Sequence, residues 1–306
     1  MERKLYHILI ILMVIAVMVG CADKEKKEKI DLQQIKNDRQ GLDYRTDHTK
    51  DLFARLDKLL KRWHVAQKSR AHATALHTEG ELEEQSKGHF SQLIDALDGE
   101  NSYIAAAALG FSTDIRAIPY LNGALKTGDD ATRSNAAMAL GNIGSDQTPM
   151  DNLFFALKND AQGSVRAMCA FAISQIVSKD EDQGALPHLL HALNDKSIAV
   201  RNNSILALEK IANEEGAKAI AAITMNDPNS IVRYNSIRVL GSTGYADQFV
   251  NLLIRKLRDS SPEVKNAAYQ VLKRATKKDF GRDPAKWENW ANLPPLSTSP
   301  EKVVQK

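Results

Sequence analysis

Apolar and polar positions along this chain alternate on two scales. The short scale is helical. In "AVRNNSILALEKI", Val200, Ser204, Leu208 and Ile211 are apolar or small and stand at steps of four, four and three, which trace one stripe of an α-helix. The long scale is a repeat. An apolar or small residue, a basic residue, a short polar or small run and a closing aliphatic recur in "ATRSNAAMAL" (131–140), "SVRAMCAFAI" (164–173), "AVRNNSILAL" (199–208), "IVRYNSIRVL" (231–240) and "EVKNAAYQVL" (263–272). Their offsets are 33, 35, 32 and 32 residues. Self-similarity at that period marks an array of supersecondary units, none of which can bury its apolar face alone.

A second apolar segment precedes each window: "AIPYLNGAL", "NLFFAL", "ALPHLLHAL", "AIAAITM" and "FVNLLIRKL". Pro119 and Pro187 fit the first turn of such helices, where a missing N–H has no helical partner. Short polar turns such as "NDKS", "NDPNS" and "RDSSP" join the two segments, and Ser261 before Pro262 reads as a helix start. Each unit is therefore a helical hairpin. Counting from the basic residue, the small side chains three positions on are expected to let neighbouring helices approach. Leu140, Ile173, Leu208, Leu240 and Leu272 are expected to fill the seams, and Asn202 to lie outside the buried stripe. A degenerate copy, "FSQLIDALDGENSYIAAAALG", precedes the five and carries Ser102 where they have a basic residue. Such an atypical end unit is expected of a cap.

Asp160, Asp195, Asp227 and Asp259 each lie six residues before their Arg or Lys. With Val-Arg, Ala or Ser, and a closing Ala-Leu, this pattern resembles the short bacterial HEAT repeat over residues 90 to 280. The tryptophan-glycine-tyrosine signature of tetratricopeptide repeats and the "TPLH" of ankyrin repeats are missing. The resemblance implies an all-α fold: an α-solenoid, or HEAT-like superhelix of stacked hairpins. In it the second helices line a concave face, and the Asp and Arg brace neighbouring units.

The amino terminus sets the cellular context. Arg3 and Lys4 precede Ile8 to Val19, an unbroken apolar run of twelve. That is too short for the ~20 residues a bilayer span needs and fits the apolar region of a signal peptide. The run ends at Met18-Val19-Gly20-Cys21, before the polar "ADKEKKEK". This junction resembles the lipobox of bacterial lipoproteins, which implies a diacylglyceryl thioether on Cys21. The expected organisation is a lipoprotein signal peptide over 1–20, a flexible tether over 21–48, an amphipathic helical segment capping the array over 49–88, about six HEAT units over 89–280, and a tryptophan-containing cap with a loose tail over 281–306. "DLFARLDKLLKRW" puts Leu52, Leu56, Leu59 and Trp63 at helical spacing. Capping the first repeat, lying on a membrane and pairing with a partner helix are three uses open to it.

Chemistry is sparse. No metal site, cofactor or catalytic residue is expected, and so no enzyme. There is no His-Glu dipeptide such as the HEAT-like deoxyhypusine hydroxylases use for iron, no G-x-S-x-G, no phosphate-binding glycine loop and no C-x-x-C. His188 and His191 stand one turn apart, yet no acidic or Cys ligand accompanies them there at ligand spacing. Cys169 occupies a position where sister copies have Ala or Ser, which suits a small buried side chain. A net charge of +3 is too small to indicate nucleic acid. Basic residues from Arg255 to Lys278 alternate with Asp259, Glu263 and Asp279, as on a solvated face.

The expected function is a lipid-anchored scaffold or adaptor of the cell envelope, facing the periplasm and favouring the outer membrane, that binds an unidentified protein partner on the concave face. The alternatives are an accessory subunit or unrecognised enzyme of the envelope, and a binder of an anionic envelope polymer. The candidate partner residues lie one and five positions after the Arg: Met138, Phe171, Leu206, Tyr234 and Arg238. Large side chains aligned through successive copies would form a binding patch. The competing reading packs Phe171 and Leu206 against adjacent helices.

Overall fold

The structure, a computed structural model, describes residues 49–178, 184–211 and 213–293. The expected signal peptide, Cys21, the tether and the end of the tail lie outside the described residues. Fifteen α-helices and no strand occur among the described residues, so the fold is the all-α solenoid that the hairpin pattern implies. The chain divides into two compact units at Ala207 and Leu208.

The first unit begins with α1 (Thr49–Lys68) and α2 (His72–Gly88), followed by α3 (Phe90–Asp95) and α4 (Ser102–Ser112). Two hairpins follow: α5 (Ile118–Thr127) with α6 (Asp130–Ile143), and α7 (Asp151–Asn159) with α8 (Gly163–Ile176). Next come α9 (Ala185–Ala192) and α10 (Ile198–Ile211), whose last four residues belong to the second unit. The apolar stripe of α1 packs inward against α2 and α4, with Leu52, Phe53, Leu56, Leu59 and Trp63 at 5% exposure or less. Trp63 also donates its Nε1–H to Glu79 Oε1 at 2.9 Å, so the polar end of this buried ring is satisfied.

The second helices α4, α6 and α8 lie side by side, and their contacts are the most extensive of the unit. Leu109, Leu140 and Ile173 fill the seams with no exposed surface. The closest approach is not where the small residues three after the Arg would place it. It lies at Gly110 and Gly141, which stand eight after the basic position. A Cβ on Gly110 would sit 2.7 Å from Ala139 Cα, and one on Gly141 would sit 2.8 Å from Ala172 Cα, so the helices touch backbone to backbone. The side chains three after the Arg are fully buried as expected, Ala136 and Cys169 among them.

The helix α8 is buried around its whole circumference from Val165 to Ser174, as its near-continuous apolar sequence requires. One polar contact repeats between second helices. Asn135 Nδ2 donates to Tyr103 O and Asn203 Nδ2 to Ala167 O, each at 2.8 Å. Asn203 is 1% exposed and Asn202 is fully buried, which corrects the expectation that Asn202 lies on an open face. The stripe picture treats a helix as having one neighbour, whereas this one is enclosed.

The second unit comprises α11 (Glu214–Asn226), α12 (Ser230–Ser242), α13 (Val250–Lys256), α14 (Pro262–Thr276) and α15 (Pro284–Trp290). Helix starts are capped as the turn residues dictate: Asn213 Oδ1 accepts from Gly216 N, Asn229 Oδ1 from Ile231 N, and Ser261 Oγ from Val264 N. In α12 the small residue three after Arg233 faces its own hairpin, since Thr224 Oγ1 donates to Ser236 Oγ at 2.8 Å. The core gathers Ile237, Leu253, Ile254, Leu257, Val264, Ala268, Val271 and Leu272 around Trp287. Trp287 has no exposed surface, donates Nε1–H to Gly281 O at 2.7 Å and meets the Phe280 ring edge-on at 5.0 Å. It closes the apolar face that would otherwise await another hairpin. No helix among the described residues is long and apolar enough to cross a membrane.

Candidate partner-binding surface

The Asp and Arg of the repeat form a brace between successive hairpins. Within the first unit, Arg133 Nε donates to Asp160 Oδ2 at 2.7 Å and Nη2 to Oδ1 at 3.1 Å, while Arg166 makes the same fork on Asp195 at 2.7 and 2.9 Å. In the second, Arg233 grips Asp259 at 2.9 and 2.6 Å. Each remaining Nη1 turns back to carbonyls of its own turn: Gly128 for Arg133, Asp160 and Ala161 for Arg166, Asp227 and Pro228 for Arg233. Each Asp also caps its own turn, Asp195 accepting from Ser197 N and Asp259 from Ser261 N. The Arg thus ties one turn to the next, and the spacing of six is the span from a turn's capping residue to the guanidinium that folds back over that turn.

Burial by itself would raise these carboxyl pKa values, but the hydrogen bonds and charges of the Arg side chains outweigh it and hold Asp160 and Asp195 below the usual range. Asp259, with Lys256 as an additional donor at 3.1 Å, falls to about 2. Asp195 is matched by Arg166, whose pKa is raised chiefly by that hydrogen bond. Groups so engaged are structural, with no proton or charge to spare for a ligand.

The five expected partner residues do not form one exposed row. Phe171 and Leu206 are 3% and 7% exposed, packed within the first unit, and Met138 is half-buried. The expectation that Phe171 and Leu206 look onto open space is therefore corrected: the neighbouring helices approach closely enough to cover them, as the 2.9 Å between the Phe171 ring and a Cβ built on Gly141 illustrates. In the second unit Tyr234 is exposed. Arg238 is half-buried and forks onto Glu209, with Nη1 to Oε1 at 3.2 Å and Nη2 to Oε2 at 3.1 Å, and Ser242 Oγ adds a third bond to Glu209 at 2.5 Å. Arg238 is thus partly committed to a brace of its own.

Tyr234 lines a groove of about 350 Å³ between the first turns of α12 and α14, together with Ser230, Ile231, Ser261, Glu263 and Asn266. Ile231 and Tyr234 are 40% and 37% exposed and lie three apart on one helix face. The sequence carried a signal for Ile231 that the pattern of positions one and five missed. It sits two before the Arg, where the sister copies have Ala131, Ser164, Ala199 and Glu263, so an aliphatic there is out of keeping with the repeat.

The residues weighed for chemistry are packed. The Cys169 thiol is fully buried, which pushes its pKa up and away from reactivity. His188 stacks on Phe154 at 4.2 Å with rings 6° apart, and burial, aided by Lys158 and His191, lowers its pKa. Among the described residues no group of three or more potential metal ligands gathers.

Stacked helical hairpins joined by forked Asp–Arg braces define the class, an α-solenoid of HEAT-type repeats. Residues 150–224 and 217–283 match the family model of HEAT repeats, so the chain carries that repeat through its second half. No curated protein matches it. Among solved structures, the Escherichia coli protein YibA is similar at 17% identity over 87% of this chain and 98% of its own, with a TM-score of 0.54, a likeness of fold alone. Human deoxyhypusine hydroxylase is 16% identical over 75% of this chain and 99% of its own, at a TM-score of 0.36. A designed armadillo repeat protein in complex with the peptide (KR)4 is 18% identical over 72% and 98%, at 0.41. The last two are too distant in shape to carry an argument.

Proposed function

We propose that the chain is a non-enzymatic scaffold of the cell envelope, held to a membrane by acylated Cys21, that binds a protein partner through the Ile231–Tyr234 groove of its second unit. The observation that carries the reading is the groove itself. Two apolar side chains three apart on one helix stand open to solvent there, beside the hydroxyls and amide of Ser230, Ser261 and Asn266. Apolar anchors rimmed by polar groups are the composition of a protein-binding hot spot. Anchorage and envelope location rest on the lipobox-like junction at Cys21.

A photo-crosslinker placed at position 234 in the native envelope should capture a discrete partner, and one at buried position 171 should not. Ile231→Ser with Tyr234→Ser should abolish that capture while helicity by circular dichroism stays unchanged. Undiminished capture from a crosslinker at position 266 in that double variant would refute the groove as the partner site.

A further inference from the structure

The carboxyl-terminal end of the second unit presents a surface with an excess of basic side chains. Glu288 is 4% exposed and takes a forked bond from Arg258 at 3.0 and 2.9 Å. Asp279 is taken by Lys273 at 2.6 Å, by the Tyr269 hydroxyl at 2.9 Å and by Gly281 N at 3.1 Å. Asp279 and Glu288 are thus each matched by a base of their own. That leaves exposed Arg274, Lys277, Lys278, Arg282 and Lys286 against the single carboxylate of Asp283. Arg282 bonds only the neutral Asn266 amide among the described residues.

An aromatic side chain stands within this patch. Trp290 is 40% exposed, packs against Phe280 and Trp287 at 5.9 Å from each, and shares a face of α15 with Lys286, one turn away. Phe280 in turn follows Lys278 by two residues. A half-exposed indole with a lysine one helical turn away, on a segment rich in exposed basic residues, is the composition of a surface that sits at the headgroup level of a bilayer, where the ring is amphipathic enough to enter and each basic residue is drawn to anionic lipid.

We infer that this end of the molecule docks on an anionic phospholipid surface, with Trp290 entering the headgroup region and Lys278 and Lys286 flanking it. The inference does not rest on the partner groove, whose lining includes none of Lys278, Lys286 and Trp290, although Asn266 of the groove accepts a bond from Arg282 of the patch. The ligand chemistry is a plane of phosphodiester anions over hydrocarbon, which distinguishes it from a soluble polyanion that offers charge alone.

The test uses the full chain with vesicles of phosphatidylcholine alone and of phosphatidylcholine mixed with phosphatidylglycerol. The amino-terminal apolar run is present in both cases, so the difference between lipids is the readout. Trp63 and Trp287 are 2% and 0% exposed, which leaves Trp290 as the ring able to respond by emission. Emission should shift to the blue with phosphatidylglycerol only, and the shift should reverse in about 1 M salt, where the screening length is near 3 Å. Lys278→Glu with Lys286→Glu should weaken the response on the order of tenfold or more, and Trp290→Phe should silence it with helicity unchanged. An equal shift on both vesicles, no shift on either, or a shift that survives Trp290→Phe would overturn the proposal. Charge-dependent binding of soluble polyphosphate without any vesicle response would overturn it too, in favour of an anionic polymer.

Discussion

Replacing Asp259 by Asn tests the inter-hairpin brace where it is most heavily engaged. The carboxylate is 4% exposed and accepts four donors: Arg233 Nε and Nη2, Lys256 Nζ and Ser261 N. Its pKa falls from 3.8 to about 2, against the opposing effect of burial. The folded state therefore favours the ionised form by about 2 kcal/mol. Asn keeps one acceptor oxygen but leaves two cations, each with only 10% of its side chain exposed, without the carboxylate they share. Breaking a buried pair in this way costs about 3–5 kcal/mol, somewhat less here because both cations keep backbone carbonyl partners. The expected loss is about 2–4 kcal/mol at neutral pH, read by urea unfolding followed through tryptophan emission. Its sign with pH follows from the lowered pKa. The contribution is complete above the unfolded value of 3.8 and is lost as pH falls through that value toward about 2. The gap between parent and variant should therefore stay level from pH 7 to about 5 and close on further acidification. A loss below about 0.5 kcal/mol at pH 7, or a gap that does not narrow in acid, would refute the reasoning.

Gly141→Ala should destabilise by about 1–3 kcal/mol in thermal melts, because its Cβ would meet the Ala172 backbone at 2.8 Å. Gly123→Ala, in helix α5 with nothing within 4 Å of its Cβ, should instead be neutral or gain up to about 1 kcal/mol. Asn203→Ala should cost about 1–2 kcal/mol by removing its bond to Ala167 O, against less than about 0.5 for an exposed site such as Gln270, and equal melting shifts would contradict the enclosure of α10. Cys21→Ser should leave an unprocessed precursor without acyl chains, and mass spectrometry of the amino terminus checks it.

What the chain determines by itself is what depends on residues near in sequence. The stripe of Val200, Ser204 and Leu208 follows from 3.6 residues per turn, and all three are buried. The spacing of six from Asp to Arg fixes only the local half of the brace, the guanidinium folding back on the carbonyl of its own turn, whereas the carboxylate it grips lies on the next hairpin and was implied by the resemblance to HEAT repeats alone. A tryptophan-containing cap was expected after the last repeat, and only the fold shows which ring, Trp287 with no exposed surface, packs into the final core. Exposure of positions one and five after the Arg was not legible, because it depends on how near the adjacent helix stands. That distance is set by Gly110 and Gly141, whose lack of a side chain looks like nothing in an apolar pattern. The same repeat position is consequently buried as Phe171, half-buried as Met138 and tied to Glu209 as Arg238. Charge behaves likewise. The sequence shows Asp279 and Glu288 near basic residues, and only the fold decides that Lys273 and Arg258 have already taken them, because an ion pair is a matter of distance across space.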